Sequence, residues 1–179
     1  PMIVVMPYGN PLAKIAEQTG KDKPADVMSR DGDDALRRMK LFETDLVSHV
    51  IPYIEKNYRT INNKDNRAIA GFSGGGGTTL YFGLNNTDKF AYVCGFAPGM
   101  LKNEFERNNE AFFKNIEQAN KNLKLFWIGV GKEDMLYSVN KEYMQVLDEK
   151  KVKYESYFTD GGHTWMNVKH YLSVIVPKL

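Results

Sequence analysis

Residues 67–83 read RAIAGFSGGGGTTLYFG. The run NRAIAGF, 66–72, has the length and apolar character of a buried strand, and TTLYFGLNN beyond it has helical spacing. Between them, Gly74 to Gly77 occupy what should be the first turn of that helix, where each glycine costs about 1 kcal/mol relative to alanine. Gly71-Phe72-Ser73-Gly74-Gly75 fits Gly-x-Ser-x-Gly, a sharp strand-to-helix turn that lifts a serine hydroxyl beyond the carboxyl end of a strand. Such a turn strains its serine and crowds the positions two before and two after it, so Gly71 and Gly75 are both expected to be required. Gly76 and Gly77 would let the helix pack closely on its neighbours. The N–H of Gly74, at the helix N-terminus, would point toward a developing oxyanion.

Working outward, strand-like and helical runs alternate. PMIVVMP, 1–7, is a continuous apolar run that reads as a buried strand, and residues 8–35 read as a long excursion loop rich in Gly, Pro, Lys and Asp. Over 36–58, Leu41, Phe42, Leu46, Val50, Ile51 and Ile54 recur at helical spacing, with a bend or restart expected at Pro52. Further strands are expected at 91–98, 123–131 and 153–160, and further helices at about 103–121, 139–150 and from Thr164 onward. This alternation predicts an α/β fold, a parallel sheet covered by helices on both faces, in one domain spanning 1–179. There is no internal repeat.

In such sheets ligands bind beyond the carboxyl ends of the strands, and Ser73, Asp134 and His163 each follow one. A serine hydroxyl is a weak nucleophile until a base takes its proton, and an acid must hold that base in the right tautomer. Of three histidines, His49 and His170 lie within helices, whereas His163 follows Gly161-Gly162 at a strand end. Asp134 is the candidate acid, with Glu133 and Asp160 as rivals. The order Ser73, Asp134, His163 is that of α/β-hydrolases.

Other chemistries fit less well. A P-loop reading of 71–78 puts Gly77 where the phosphate-binding lysine belongs, and a dinucleotide fingerprint lacks its third glycine. Cys94 sits among apolar neighbours in a strand and reads as a packing residue. No His, Cys or carboxylate group has metal-ligand spacing, so neither metal nor cofactor is expected. The 24 basic and 22 acidic residues, net charge +2, are intermixed along the chain, which argues against nucleic acid as a partner. No apolar run reaches the roughly 18 residues that span a bilayer, so no membrane partner is expected.

The landmarks PMIVVMPYGN, DLVSHVIPYIEKNYR, AIAGFSGGGG, DKFAYVCGFAPG, IGVGKEDMLY and DGGHTW resemble, in order and spacing, the putative-esterase branch of the α/β-hydrolases, which holds feruloyl and acetyl xylan esterases. The resemblance implies a three-layer fold and a serine esterase acting through an acyl-enzyme on acylated plant cell-wall polysaccharide. Ser73 would be the nucleophile, His163 the general base, Asp134 its orienting acid and Gly74 an oxyanion donor. Trp165 and Phe96, with the loop after it, would line the substrate pocket. The family often has methionine where this chain has Gly74. The resemblance also implies a secreted or periplasmic location. Its members begin with further strands and a His-Gly-type loop giving a second oxyanion N–H. The chain opens on Pro1 inside a strand-like run, so an upstream portion is expected, supplied by another chain, a cleaved fragment or a second copy that completes the sheet. A silent hydrolase-fold module binding carbohydrate or protein, or an acyltransferase using the same three residues, is the alternative.

Overall fold

A computed structural model describes residues 2–7 and 32–179, which fall into two units, one within 1–62 and one over 63–179. In the first unit, helix α1 (Gly32–Asp45) leads through a π-turn (Leu46–Val50) into helix α2 (Ile51–Asn57). Helix α1 begins four residues before the expected start, because apolar periodicity detects only turns that carry apolar residues; the rest of the expected loop, 8–31, lies outside the described residues. The expected restart is a widened turn: the Ile51 N–H donates to the Leu46 carbonyl, five residues back, just before Pro52, which has no N–H to continue the ladder. Phe42, Leu46, Val50, Ile51 and Ile54 are half-buried.

Residues 2–7 correct an expectation. They form no strand and are exposed, Met6 at 90%. Their composition suits a ladder, but a strand exists only through a hydrogen-bonded neighbour, and no described segment pairs with them.

The second unit carries the sheet. Four parallel strands run in the order β1 (Ala68–Phe72), β2 (Tyr92–Phe96), β3 (Leu125–Gly131) and β4 (Glu155–Thr159), matching four of the five strand readings. Register sets Phe72 beside Phe96, Phe96 beside Gly129 and Gly131 beside Thr159, so all four carboxyl ends meet one rim. Helices make each parallel connection: α3 (Gly74–Asn85) between β1 and β2, three short helices α4 (Lys102–Asn108), α5 (Glu110–Lys114) and α6 (Ile116–Asn122) between β2 and β3, and α7 (Tyr137–Glu149) between β3 and β4, while α8 (Trp165–Ile175) follows β4.

Side-chain alternation along each strand divides the core. Cys94, Phe96, Leu125 and Trp127 pack with Val168, Tyr171 and Ile175 of α8 on one face. On the other, Gly83 of α3 lies so close to Val93 and Ile69 that an added Cβ would come within 2.5 Å of Val93. Cys94 is 1% exposed, and burial, with a smaller contribution from the Glu155 charge, pushes its thiol up to about 12. It is a packing residue, not a nucleophile.

Candidate active site

The turn after β1 puts Ser73 at φ 58°, ψ −123°, a conformation that side chains rarely adopt. The surrounding chain fixes it there. The Ser73 N–H donates to the Phe96 carbonyl at 2.9 Å, and the Ser73 carbonyl accepts from Gly77 N–H at 3.0 Å and Gly99 N–H at 2.7 Å. The loop 97–99 beyond β2 is thus the platform for the turn. It presses on the helix as well, since a Cβ on Gly76 would lie 2.9 Å from Pro98 Cα and one on Gly77 only 2.5 Å from the Gly99 carbonyl oxygen. This is why Gly76 and Gly77 in the first turn of α3 carry no side chain.

The two flanking glycines are not equivalent. A Cβ on Gly71 would meet the Gly75 carbonyl oxygen at 2.2 Å and Thr79 Oγ1 at 2.6 Å, whereas Gly75 and Gly74 have no atom within 4 Å of theirs. The expectation that both flanks must be small is corrected to the first alone. Gly74 is the first residue of α3, so its N–H has no intrahelical acceptor and is a candidate oxyanion donor.

Asp134 and His163 come from the ends of β3 and β4. The two loops are joined by the Glu133 N–H donating to the Gly161 carbonyl at 3.2 Å, and Gly161 takes φ +81°, which glycine adopts without strain. His163 Nε2 lies 2.8 Å from Ser73 Oγ, and its Nδ1 lies 2.8 and 3.0 Å from the two carboxylate oxygens of Asp134. Asp134 is buried, and its Oδ1 also accepts the Leu136 N–H at 2.8 Å. With a carboxylate on Nδ1, the ring carries its proton there and presents Nε2 as acceptor to the hydroxyl.

The rivals are placed elsewhere. Glu133 is exposed, and Asp160 pairs with Lys132 at 3.2 Å in solvent. His170 is hydrogen-bonded to the Tyr157 hydroxyl, and His49 lies exposed beside Asp45.

Of the two expected substrate contacts, only one is available. Trp165 is 74% exposed and its ring lies 5.2 Å from that of Phe72. Phe96 is a correction: at 3% exposure it packs against Trp127 and Tyr171 in the core, and only the backbone after it reaches the site. Tyr171 of α8 and Trp127 of β3 cover Phe96 on its face of the sheet, while Phe72, its neighbour in register on β1, stacks on the His163 ring at 4.4 Å. Sequence reading missed Phe72, although its place inside the motif was the available signal. It also missed Asn167, whose Nδ2 donates to the Gly162 carbonyl at 2.9 Å and steadies the histidine loop.

Comparison with known proteins agrees with this architecture. Over 139 residues the chain is 27% identical to an endo-1,4-beta-xylanase/feruloyl esterase of Xylanibacter ruminicola, a match covering 77% of this chain and 18% of that protein. Among solved structures, a ferulic acid esterase superposes with TM-score 0.67 at 26% identity, over 76% of this chain and 59% of that one. A fluorophosphonate-binding serine hydrolase of Staphylococcus aureus shares the fold, with TM-score 0.65 at 20% identity over 74% of this chain and 61% of that one. The chain therefore spans less than two thirds of the length of these relatives. The family described as "Putative esterase" matches residues 1–179, and the chain belongs to it.

Proposed function

We propose that this chain bears the reacting groups of a serine carboxylic ester hydrolase that removes feruloyl or acetyl groups from plant cell-wall polysaccharide. The observation that carries the reading is the continuous hydrogen-bonded relay from Asp134 through His163 to Ser73 Oγ. As Oγ attacks the ester carbonyl, its proton passes to His163 Nε2 and the carbonyl oxygen gains charge facing the Gly74 N–H. The imidazolium, held by Asp134, then protonates the departing sugar oxygen, which leaves as a hydroxyl, and an acyl-Ser73 remains. Water deprotonated by the same imidazole releases the acid. Trp165, flat and exposed beside the site, offers a stacking face to an aromatic acyl group or a sugar ring. The xylanase/feruloyl esterase and ferulic acid esterase relatives support the substrate class.

The outer edge of β1 pairs with no described strand. In this proposal a strand from a separate fragment or a second copy pairs there and completes the sheet. The 179-residue chain is the material to test for esterase chemistry. It should release ferulate from feruloylated arabinoxylan oligosaccharides, or acetate from acetylated xylan, with an acyl adduct trapped on Ser73 by mass spectrometry. Adduct on another residue, or none with either ester, rejects the reading.

Asp134→Asn should lower kcat by roughly 10⁴-fold, because the amide favours the wrong tautomer of the base. The pH profile of kcat and its ratio to the parent measure this; a change below tenfold would show that Asp134 does not orient His163.

A further inference from the structure

Behind the Ser73–His163–Asp134 relay runs a second chain of hydrogen bonds joining the same two ends. Asp134 Oδ1 accepts the N–H of Leu136 at 2.8 Å. The Leu136 carbonyl accepts from Asn140 Nδ2 at 2.8 Å, and the same amide donates to the Pro98 carbonyl at 3.1 Å. Tyr143, one turn further along α7, places its hydroxyl on that Pro98 carbonyl too. The next residue, Gly99, holds the Ser73 carbonyl. The circuit closes through the imidazole.

Three features mark this as more than packing. Asn140 and Tyr143 are both fully buried, at 0% exposure, in a helix whose other buried residues are apolar. Two carbonyl oxygens face the Asn140 amide nitrogen, which fixes its orientation and leaves Oδ1 buried with no partner among the described residues, a group that costs stability unless retained for another reason. The platform they hold is itself strained, Ala97 taking φ 41° without being glycine, so the loop needs an external anchor. Burial, reinforced by the Asp134 charge, holds the Tyr143 hydroxyl far above its ordinary range, so it stays a neutral donor.

We infer that Asn140 and Tyr143 are positioning residues: by clamping the Pro98 carbonyl to the helix that starts beside Asp134, they set the separation between the serine-bearing and acid-bearing arms of the site. A misplacement of about 1 Å in such a constellation can cost 10²-fold in rate. The inference rests on the esterase reading for its kinetic readout alone.

The test compares the parent chain with Tyr143→Phe, which removes one hydroxyl at nearly constant volume, and with Asn140→Asp, which replaces the amide donor by an acceptor facing two carbonyls. Val146→Ala, a buried change on the same helix away from the clamp, is the control for lost stability. For Tyr143→Phe we expect kcat on p-nitrophenyl acetate to fall about tenfold with KM within twofold, and for Asn140→Asp about 10²-fold, while Val146→Ala keeps the parent kcat. The nitrogen-15 shifts of the His163 ring, which report where the proton sits, should move in Tyr143→Phe and stay fixed in Val146→Ala. Unmoved shifts in folded Tyr143→Phe overturn the inference whatever the turnover, as do shifts that move equally in the control. A parent without turnover counts against the esterase reading only, since the ring shifts still decide the clamp. Should Asn140→Asp fail to fold, Tyr143→Phe decides.

Discussion

Ser73→Ala is expected to leave a folded chain whose hydrolysis of p-nitrophenyl acetate is slower on the order of 10⁵- to 10⁶-fold, with all labelling by a fluorophosphonate lost. The size follows from removing the one atom that forms the acyl bond, which in a comparable triad enzyme costs about 10⁶-fold in kcat. The hydroxyl is small, and the turn that presents it is held by main-chain bonds from Phe96, Gly77 and Gly99, so circular dichroism and melting should match the parent closely. Alanine also tolerates the backbone of residue 73 no worse than serine does. Retained turnover, or a label carried elsewhere, would move the nucleophile off Ser73.

Gly71→Ala should be among the most damaging single methyls that the described residues could receive. Its Cβ would stand 2.2 Å from the Gly75 carbonyl oxygen and 2.6 Å from Thr79 Oγ1, and the nearer obstacle is main chain that cannot swing aside. We expect a loss of about 3 kcal/mol, the upper end of ordinary overpacking, which lowers Tm by roughly 6–12 °C in a chain of this size. Turnover should fall with it, because the displaced peptide is the one that opens α3. Gly75→Ala is the internal control: nothing lies within 4 Å of its Cβ, and a helical alanine gains up to about 1 kcal/mol over glycine. Thermal melts of the pair decide the matter; equal stability of the two variants would mean that the turn relaxes around Gly71.

Among the paired strands, β2 and β3 were legible because strands buried on both faces read as continuous apolar runs. PMIVVMP has the same composition but no ladder, which shows what such a pattern leaves out: it records what a segment could bury, not which neighbour bonds to it. At the site, His163 stood apart from His49 and His170 by its glycine-flanked position at a strand end, and Asp134 by its place after β3; the structure brings His163 Nε2 to Ser73 Oγ and Asp134 to His163 Nδ1. Phe96 was misplaced because a residue at a strand end points to substrate or core according to what packs on its face of the sheet, here Tyr171 of α8 and Trp127, and that needs tertiary packing. Asn140 and Tyr143 were illegible for a similar reason. A polar residue in an amphipathic helix looks solvent-facing until the carbonyl it serves, more than 40 residues away, is known.

Ser73 and His163 lie 90 residues apart, on opposite border strands of the sheet, and only β2 and β3 between them make the distance right. A partly assembled chain, however much secondary structure it holds, has no working centre until its last strand docks. Under the esterase proposal, ester turnover would accordingly be an all-or-none signature of completed assembly, more demanding than any optical signal from helices or tryptophans.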